Sequence, residues 1–331
     1  MATAETPSNG LRPDLWNEKG EFQRPTTQFR NFISKEPGAR FPPSRDRYHL
    51  YVSYACPWAH RALIVRKLKG LESIISVTSV HYVMSLTDSW RFCTPEDNLP
   101  MDDCTPDPLH PEFKRLKQLY LHANPDYQGR FSVPVLWDKK LETIVSNESS
   151  EIIRMLYTEF DEFLPQDKRA VDLYPEHLRN KIDEVNEWTY DNVNNGVYKC
   201  GIAKTQSAYH DAVTNLFTHL RYIEAHLEGQ SGPYYFGSTI TEADIRLYVT
   251  IVRFDPVYVS LFKTNRGMIR FDYPHIHGWL LNLYWNVKAF SDTTSFEHVK
   301  NHYFMSLTML NPNGIVPDGP VPDILPLEDL W

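Results

Sequence analysis

Residues 54–61 read Tyr-Ala-Cys-Pro-Trp-Ala-His-Arg, and the side chain there with chemistry to offer is Cys56. A cysteine just ahead of a proline suited to the first helical position lies where free backbone N–H groups and the helix dipole favour an anion. Such a position can lower a thiol from its free pKa of about 8.5 and enrich the thiolate at neutral pH. His60 and Arg61 add positive potential if they face the sulfur; solvated side chains are the plainer reading. Ala59 stands where many redox motifs carry a second cysteine, so an external thiol must resolve any mixed disulfide formed on Cys56. The opposing reading, a buried and inert core cysteine, is the usual fate of an isolated one, but the helix start argues against it. Cys93, Cys104 and Cys200 lack that setting and read as bystanders.

Two other stretches could bind rather than react. Arg-Phe-Ser-Val-Pro-Val-Leu-Trp-Asp (130–138) places Pro134 in a strand-like run, where an ordinary edge-strand proline is one reading. Asn-Glu-Ser (147–149) opens a helical pattern and could hold an amino-acid-like head group. A carboxylate would meet free N–H groups and the Ser149 hydroxyl, and an ammonium would meet Glu148. Taken alone, it is a good helix cap.

These residues need elements to hold them. Residues 1–45 are Pro-, Gly-, Arg- and Asn-rich and read as an irregular extension. Tyr48, Leu50 and Val52 alternate as on a strand, residues 57–72 read as a helix, and 73–83 is a β-branched strand; that order implies a parallel βαβ unit. Residues 84–112 read as a long irregular stretch, unusual inside a compact domain. A helix from 111, two strands (130–138 and 141–146) joined by a tight turn at Asp138–Lys140, and a helix with Ile152, Ile153, Leu156 and Phe160 on one face complete a first half, 46–165. Beyond a polar linker the pattern is helical only, 176–310. There Val213, Leu216, Leu220, Ile223 and Leu227 mark one amphipathic helix, and Ile276, Trp279, Leu283, Val287 and Phe290 another. Thr241 and Asp244 have capping-box spacing, and 311–331 reads as an irregular tail.

The net charge of −8 argues weakly against a nucleic-acid partner. No apolar run of spanning length exists, so no membrane partner is expected, and the first residues carry no export signal. Four cysteines in 331 residues make no disulfide framework, which favours a cytoplasmic location with reduced thiols. No pair of cysteines or histidines has metal-ligand spacing, so no metal is expected.

The motifs together resemble a known family. The stretches 47–72, 104–140, 144–156, 194–209 and 301–320 are similar to the glutathionyl-hydroquinone reductases, the Xi class of glutathione transferases, over roughly residues 22–320. The likeness implies a glutathione transferase fold, an α/β thioredoxin-like N-terminal domain plus an all-α C-terminal domain, and a homodimer. It implies that Cys56 is the catalytic nucleophile, that glutathione is the co-substrate, and that no metal takes part. It further implies that Pro134 is cis, that Val133 pairs with the cysteinyl part of glutathione, and that Trp90, Arg130, Glu148 and Ser149 complete its binding. Tyr198 and Tyr303 would face the hydroquinone hydroxyls, with His302 nearby. The family pattern is broken at Phe304, where a second tyrosine is usual, and at Leu307, where a histidine follows the serine; both changes bear on pocket polarity. The alternatives are an omega-like thioltransferase or dehydroascorbate reductase, and a non-catalytic transferase-like assembly subunit.

Overall fold

The computed structural model describes residues 15–97, 99 and 103–329. Residues 1–14 of the expected extension, parts of the 84–112 stretch and the last two residues of the tail lie outside these.

The first half is built on a five-stranded sheet: β1 (Tyr48–Val52), β2 (Ser76–Ser85), β3 (Ser89–Phe92), β4 (Val135–Asp138) and β5 (Thr143–Ser146), in the order β3-β2-β1-β4-β5. β1 is central, parallel to β2 and antiparallel to β4. The expected alternation in β1 gives way to burial of all five residues, because both sheet faces are covered. Its polar members find partners inside: His49 meets the Ser76 and Thr78 hydroxyls at 2.7 and 3.0 Å. Tyr51 donates to Asp107.

The structure corrects several expected elements: the helix expected over 57–72 ends at Leu68, the helix expected from 111 begins at Leu116, and three parts of the sheet differ. The strand expected from 73 begins at 76, because Ile74 and Ile75 close a turn onto Leu71. The strand expected from 130 pairs with β1 from Val135 onward. The stretch 84–112 contains β3, a four-residue edge strand too short to register as a pattern.

α1 (Pro57–Leu68) follows β1, with Pro57 at its first turn and Cys56 as N-cap residue. α2 (Leu116–Ala123) precedes β4, and α3 (Ser149–Thr158), capped by Glu148, packs beside α1. Ile152, Ile153, Leu156 and Phe160 are all fully buried, as their spacing requires.

The second half is helical. α4 (Arg179–Thr189) runs into a π-turn (Tyr190–Asn194) and α5 (Gly196–Gly201). α6 (Gln206–Glu228) buries Val213, Leu216, Leu220 and Ile223. α7 (Glu242–Ile251) begins at the expected capping box, in which Asp244 accepts from the Thr241 N–H and hydroxyl. A second π-turn (Phe254–Tyr258) follows it. α8 (Pro274–Asn286) ends before the expected Val287, whose extended backbone breaks the helix; Phe290 is buried in a separate turn, Lys288–Ser291. α9 (Phe296–Ser306) returns to pack on β2, and the Met84 N–H donates to Ser306 Oγ at 2.9 Å. α1 packs on α7, so the two halves share one core.

Candidate active site

The site forms where α1 begins. Cys56 caps the helix: its carbonyl accepts from the His60 N–H at 3.0 Å, and its thiol donates to the Val133 carbonyl at 3.5 Å. The Val133–Pro134 peptide is cis. Cys56 is half-buried. Burial pushes its thiol above the ordinary value, while the N–H groups of Ala59 and Trp58 and the charges of Arg253 and Arg24 pull it down. The net direction is upward, against the lowering expected from the helix start alone. A sequence shows the helix end; it does not show the side chains that take water from the sulfur.

His60 and Arg61 are buried rather than solvated, and neither acts as expected. Arg253 Nη1 donates to His60 Nδ1 at 3.0 Å, so that nitrogen is an acceptor and His60 Nε2 serves the Thr293 hydroxyl at 3.0 Å. A guanidinium has no acceptor, so His60 is held neutral, and burial drives it far below the usual histidine range. Arg61 reaches Asn194 Oδ1 at 2.9 Å, and burial pulls it down to about 9.

One of the two cations that bear on Cys56 is announced by no motif in the chain. Arg253, fully buried at the end of α7, donates to the carbonyls of Tyr54 (2.8 Å), Ala55 (3.0 Å) and Val249 (2.8 Å), besides His60. It ties the helical half to the two residues before Cys56. A lone arginine inside the apolar run 247–259 was the available signal.

The N-terminal extension supplies a second missed cation. Residues 15–35 lie across both halves: Trp16 donates to the Ile202 carbonyl, and Asn31 N–H to that of Val145. Arg24 donates to Asn195 Oδ1 at 2.7 Å and lies over the rings of Trp58 (4.6 Å) and Tyr198 (4.9 Å). Arg61 lies at the same 4.6 Å from Trp58.

The expected tyrosines meet. Tyr198 and Tyr303 hydroxyls are 2.5 Å apart, and Tyr303 is 3.0 Å from the hydroxyl of Tyr258, a third phenol not anticipated. Burial raises all three, so they are hydrogen-bond donors rather than phenolates. Tyr198 is close enough to Cys56 for their ionisations to oppose each other.

Trp90, in β3, is buried and stacks on His302 with ring centroids 4.7 Å apart. His302 Nδ1 donates to the Tyr82 carbonyl at 2.8 Å, and burial lowers it to about 4. Glu148 accepts from the Ser150 N–H and from the Thr27 hydroxyl of the extension. Buried Ser149 meets Arg61 at 3.4 Å. Arg130 is exposed, and its carbonyl accepts from the Tyr127 hydroxyl. Phe304 is buried and Leu307, which ends α9, is half-buried. Cys200 fits the bystander reading, pushed up to about 12 by burial. Cys104 fits it less well: the neighbouring Cys93 thiol and His298, 3.9 Å away, both pull it down.

Comparison with known proteins places the chain as a whole. Residues 55–159 match the glutathione S-transferase N-terminal domain and residues 206–281 its C-terminal domain. The glutathione S-transferase omega-like 2 of Schizosaccharomyces pombe is 53% identical, covering 93% of this chain and 96% of its own. The glutathionyl-hydroquinone reductase YqjG of Escherichia coli is 49% identical, over 96% and 95%. The crystal structure of the Xi glutathione transferase ECM4 from Saccharomyces cerevisiae in complex with glutathione is 43% identical, covers 93% of this chain and 99% of that one, and superposes with a TM-score of 0.88. By domain match, sequence identity over nearly the whole chain and superposition alike, the chain belongs to the glutathione S-transferase family, in its Xi class.

Proposed function

We propose that this protein is a glutathionyl-hydroquinone reductase, removing glutathione from S-glutathionyl-hydroquinones through a mixed disulfide on Cys56. The chain is a glutathione-dependent enzyme of its family. The observation that carries the finer reading is one cysteine at a helix start, with Ala59 in place of a resolving thiol, sharing its site with a hydrogen-bonded tyrosine pair.

The chemistry follows from those groups. The Cys56 thiolate attacks the sulfur of the conjugate and an S–S bond forms. The C–S bond breaks with its electron pair going to the ring carbon, which takes a proton, and the hydroquinone leaves. A second glutathione thiolate attacks Cys56–S–SG, giving oxidised glutathione and restoring Cys56. The ring carbon gains two electrons, and the two glutathione sulfurs, one from the conjugate and one from the second glutathione, supply them by joining. Tyr198 and Tyr303, held as neutral phenols, donate to the ring oxygens and favour the ketone-like forms in which carbon can carry the leaving pair. Their mutual hydrogen bond must open for the substrate to take its place.

In this reading glutathione lies along Val133 and Pro134 in the manner of an added strand. Glu148 and Ser149 receive its γ-glutamyl head, and Trp90 and Arg130 complete its binding. The enzyme works in the cytoplasm as a homodimer, the state that the family resemblance implies. Among the described residues no helix is long and apolar enough to cross a membrane.

The test is turnover of a glutathionyl-hydroquinone with glutathione, with intact-protein mass as a second readout. Wild-type protein should release free hydroquinone and trap one glutathione on Cys56. Cys56→Ser should lose both, by about three orders of magnitude in rate; full activity in that variant would end the proposal. The omega-like name of one relative supports a second reading, a thioltransferase or dehydroascorbate reductase. Faster turnover of dehydroascorbate or a small disulfide than of the conjugate would favour it.

A further inference from the structure

Among the described residues, one group of three metal-capable side chains converges: His110, His122 and Glu142, with ligand atoms all within 4.8 Å of one another. They come from the loop before α2, the last turn of α2 and the β4–β5 turn, twelve and twenty residues apart, so no spacing in the chain announces them. His110 is 6% exposed, and its buried Nε2 has no hydrogen-bond partner.

The tautomer of His110 follows from its neighbours. Asp107, 1% exposed, accepts from the Tyr51 hydroxyl at 3.0 Å and from the Leu109 N–H at 3.0 Å. His110 Nδ1 lies 3.1 Å from the same carboxylate. The carboxylate can only accept, so Nδ1 carries the proton and the Nε2 of the neutral ring is a bare lone pair. A carboxylate fixing one ring nitrogen while the other is left as donor is the outer-sphere arrangement of metal-bound histidines. The ring is also clamped, stacked on Phe113 at 4.7 Å and edge-on to Trp137 at 5.5 Å. Facing it, His122 Nε2 and Glu142 Oε2 are 3.2 Å apart, close to the ligand–ligand edge of about 3.3 Å of a tetrahedron with bonds of roughly 2.0 Å. Both side chains are exposed at the surface and can rotate toward Nε2.

We propose that His110 Nε2, His122 and Glu142 form a zinc site, with Asp107 as the residue that orients His110. Two imidazoles and one carboxylate are a donor set that suits zinc, and three protein ligands leave the fourth position to water. The bound ion clips the loop, α2 and the β4–β5 turn together. It stands apart from Cys56 and takes no part in the thiol chemistry.

The test uses the full chain, stripped of metal, in thiol-free buffer. Zinc titrated calorimetrically should bind at one equivalent and raise the unfolding temperature. His122→Gln and Glu142→Gln, both at exposed positions that leave the fold intact, should each weaken binding at least tenfold and cancel the thermal shift. Asp107→Asn should weaken it 10- to 100-fold. Cobalt(II), as a spectroscopic probe, should give visible absorption with no thiolate-to-cobalt charge-transfer band. Zinc binding unchanged in His122→Gln, no binding at one equivalent, or a charge-transfer band abolished by Cys104→Ser would each overturn the proposal.

Discussion

At the cysteine end of the site, the groups that bear on the sulfur are backbone N–H groups and two guanidinium ions. At the tyrosine end, three phenols hydrogen-bond one another, and a neutral histidine stacks on Trp90. Both ends are largely withdrawn from water, yet burial works differently on them. For the phenols and His302 it reinforces the neutral form that the proposed chemistry uses, since a hydrogen-bond donor must keep its proton. For Cys56 it opposes the thiolate, so charge must be supplied against it. Arg253 supplies that charge from the middle of the core, its guanidinium spent on carbonyls and His60 rather than on a carboxylate. The contrast teaches that burial, the helix start's own N–H groups and, after them, the charges of Arg253 and Arg24 set how the nucleophile ionises, whereas at the phenols burial alone suffices.

Acid should strain the neutral end through His302. His302 is lowered to about 4 in the folded protein from an ordinary 6.5, so the native state binds fewer protons than the unfolded one between those values. Its contribution to stability is complete above pH 6.5 and is lost as pH falls toward 4. Denaturant unfolding between pH 7 and pH 4 should show wild type losing about 3 kcal/mol more than His302→Gln.

Removing the phenol hydroxyls tests the division of labour. Tyr198→Phe combined with Tyr303→Phe should slow release of hydroquinone from the conjugate about 100-fold. The reaction of Cys56 with a small disulfide should stay within a few-fold of wild type. Equal losses on both substrates would mean that the tyrosines merely hold the site together.

The cysteine end is probed through Arg253. Because burial raises the thiol, alkylation of Cys56 should accelerate as pH rises through its titration. Arg253→Met should move that profile to higher pH and slow alkylation at neutral pH roughly tenfold. Arg253→Lys, which keeps the charge and loses the fork of hydrogen bonds, should recover part of it. Circular dichroism and thermal melting separate this from simple unfolding. Arg24→Ala should act in the same direction but by only a few-fold, since an exposed-edge cation–π contact is worth about 1 kcal/mol. A larger effect for Arg24 than for Arg253 would reverse the ranking proposed here.

Much of this design was legible along the chain because it is local. Cys56 with Pro57, the Thr241–Asp244 capping box and the apolar faces of α3 and α6 depend on neighbours within a few residues, and all formed as expected. The family resemblance brought Tyr198 and Tyr303 forward together, and the structure puts them in contact. The edge strand β3, the break at Val287 and the course of the extension were not legible, since each depends on which distant surface is available to pair with or pack against.

The sequence by itself determined where a helix starts, that a lone cysteine stands at its N-cap, and that Ala59 takes the place of a second thiol, because backbone geometry and residue identity settle such things over one or two turns. Tertiary structure alone decided the state of that sulfur. Whether a thiol ionises is a balance of lost hydration against hydrogen bonds and nearby charge; the N–H groups of Trp58 and Ala59 are local, but the burial and the charges of Arg253 and Arg24 come from residues far off in the chain. The same holds for His110, His122 and Glu142, unremarkable in sequence and brought within reach of one ion by the fold.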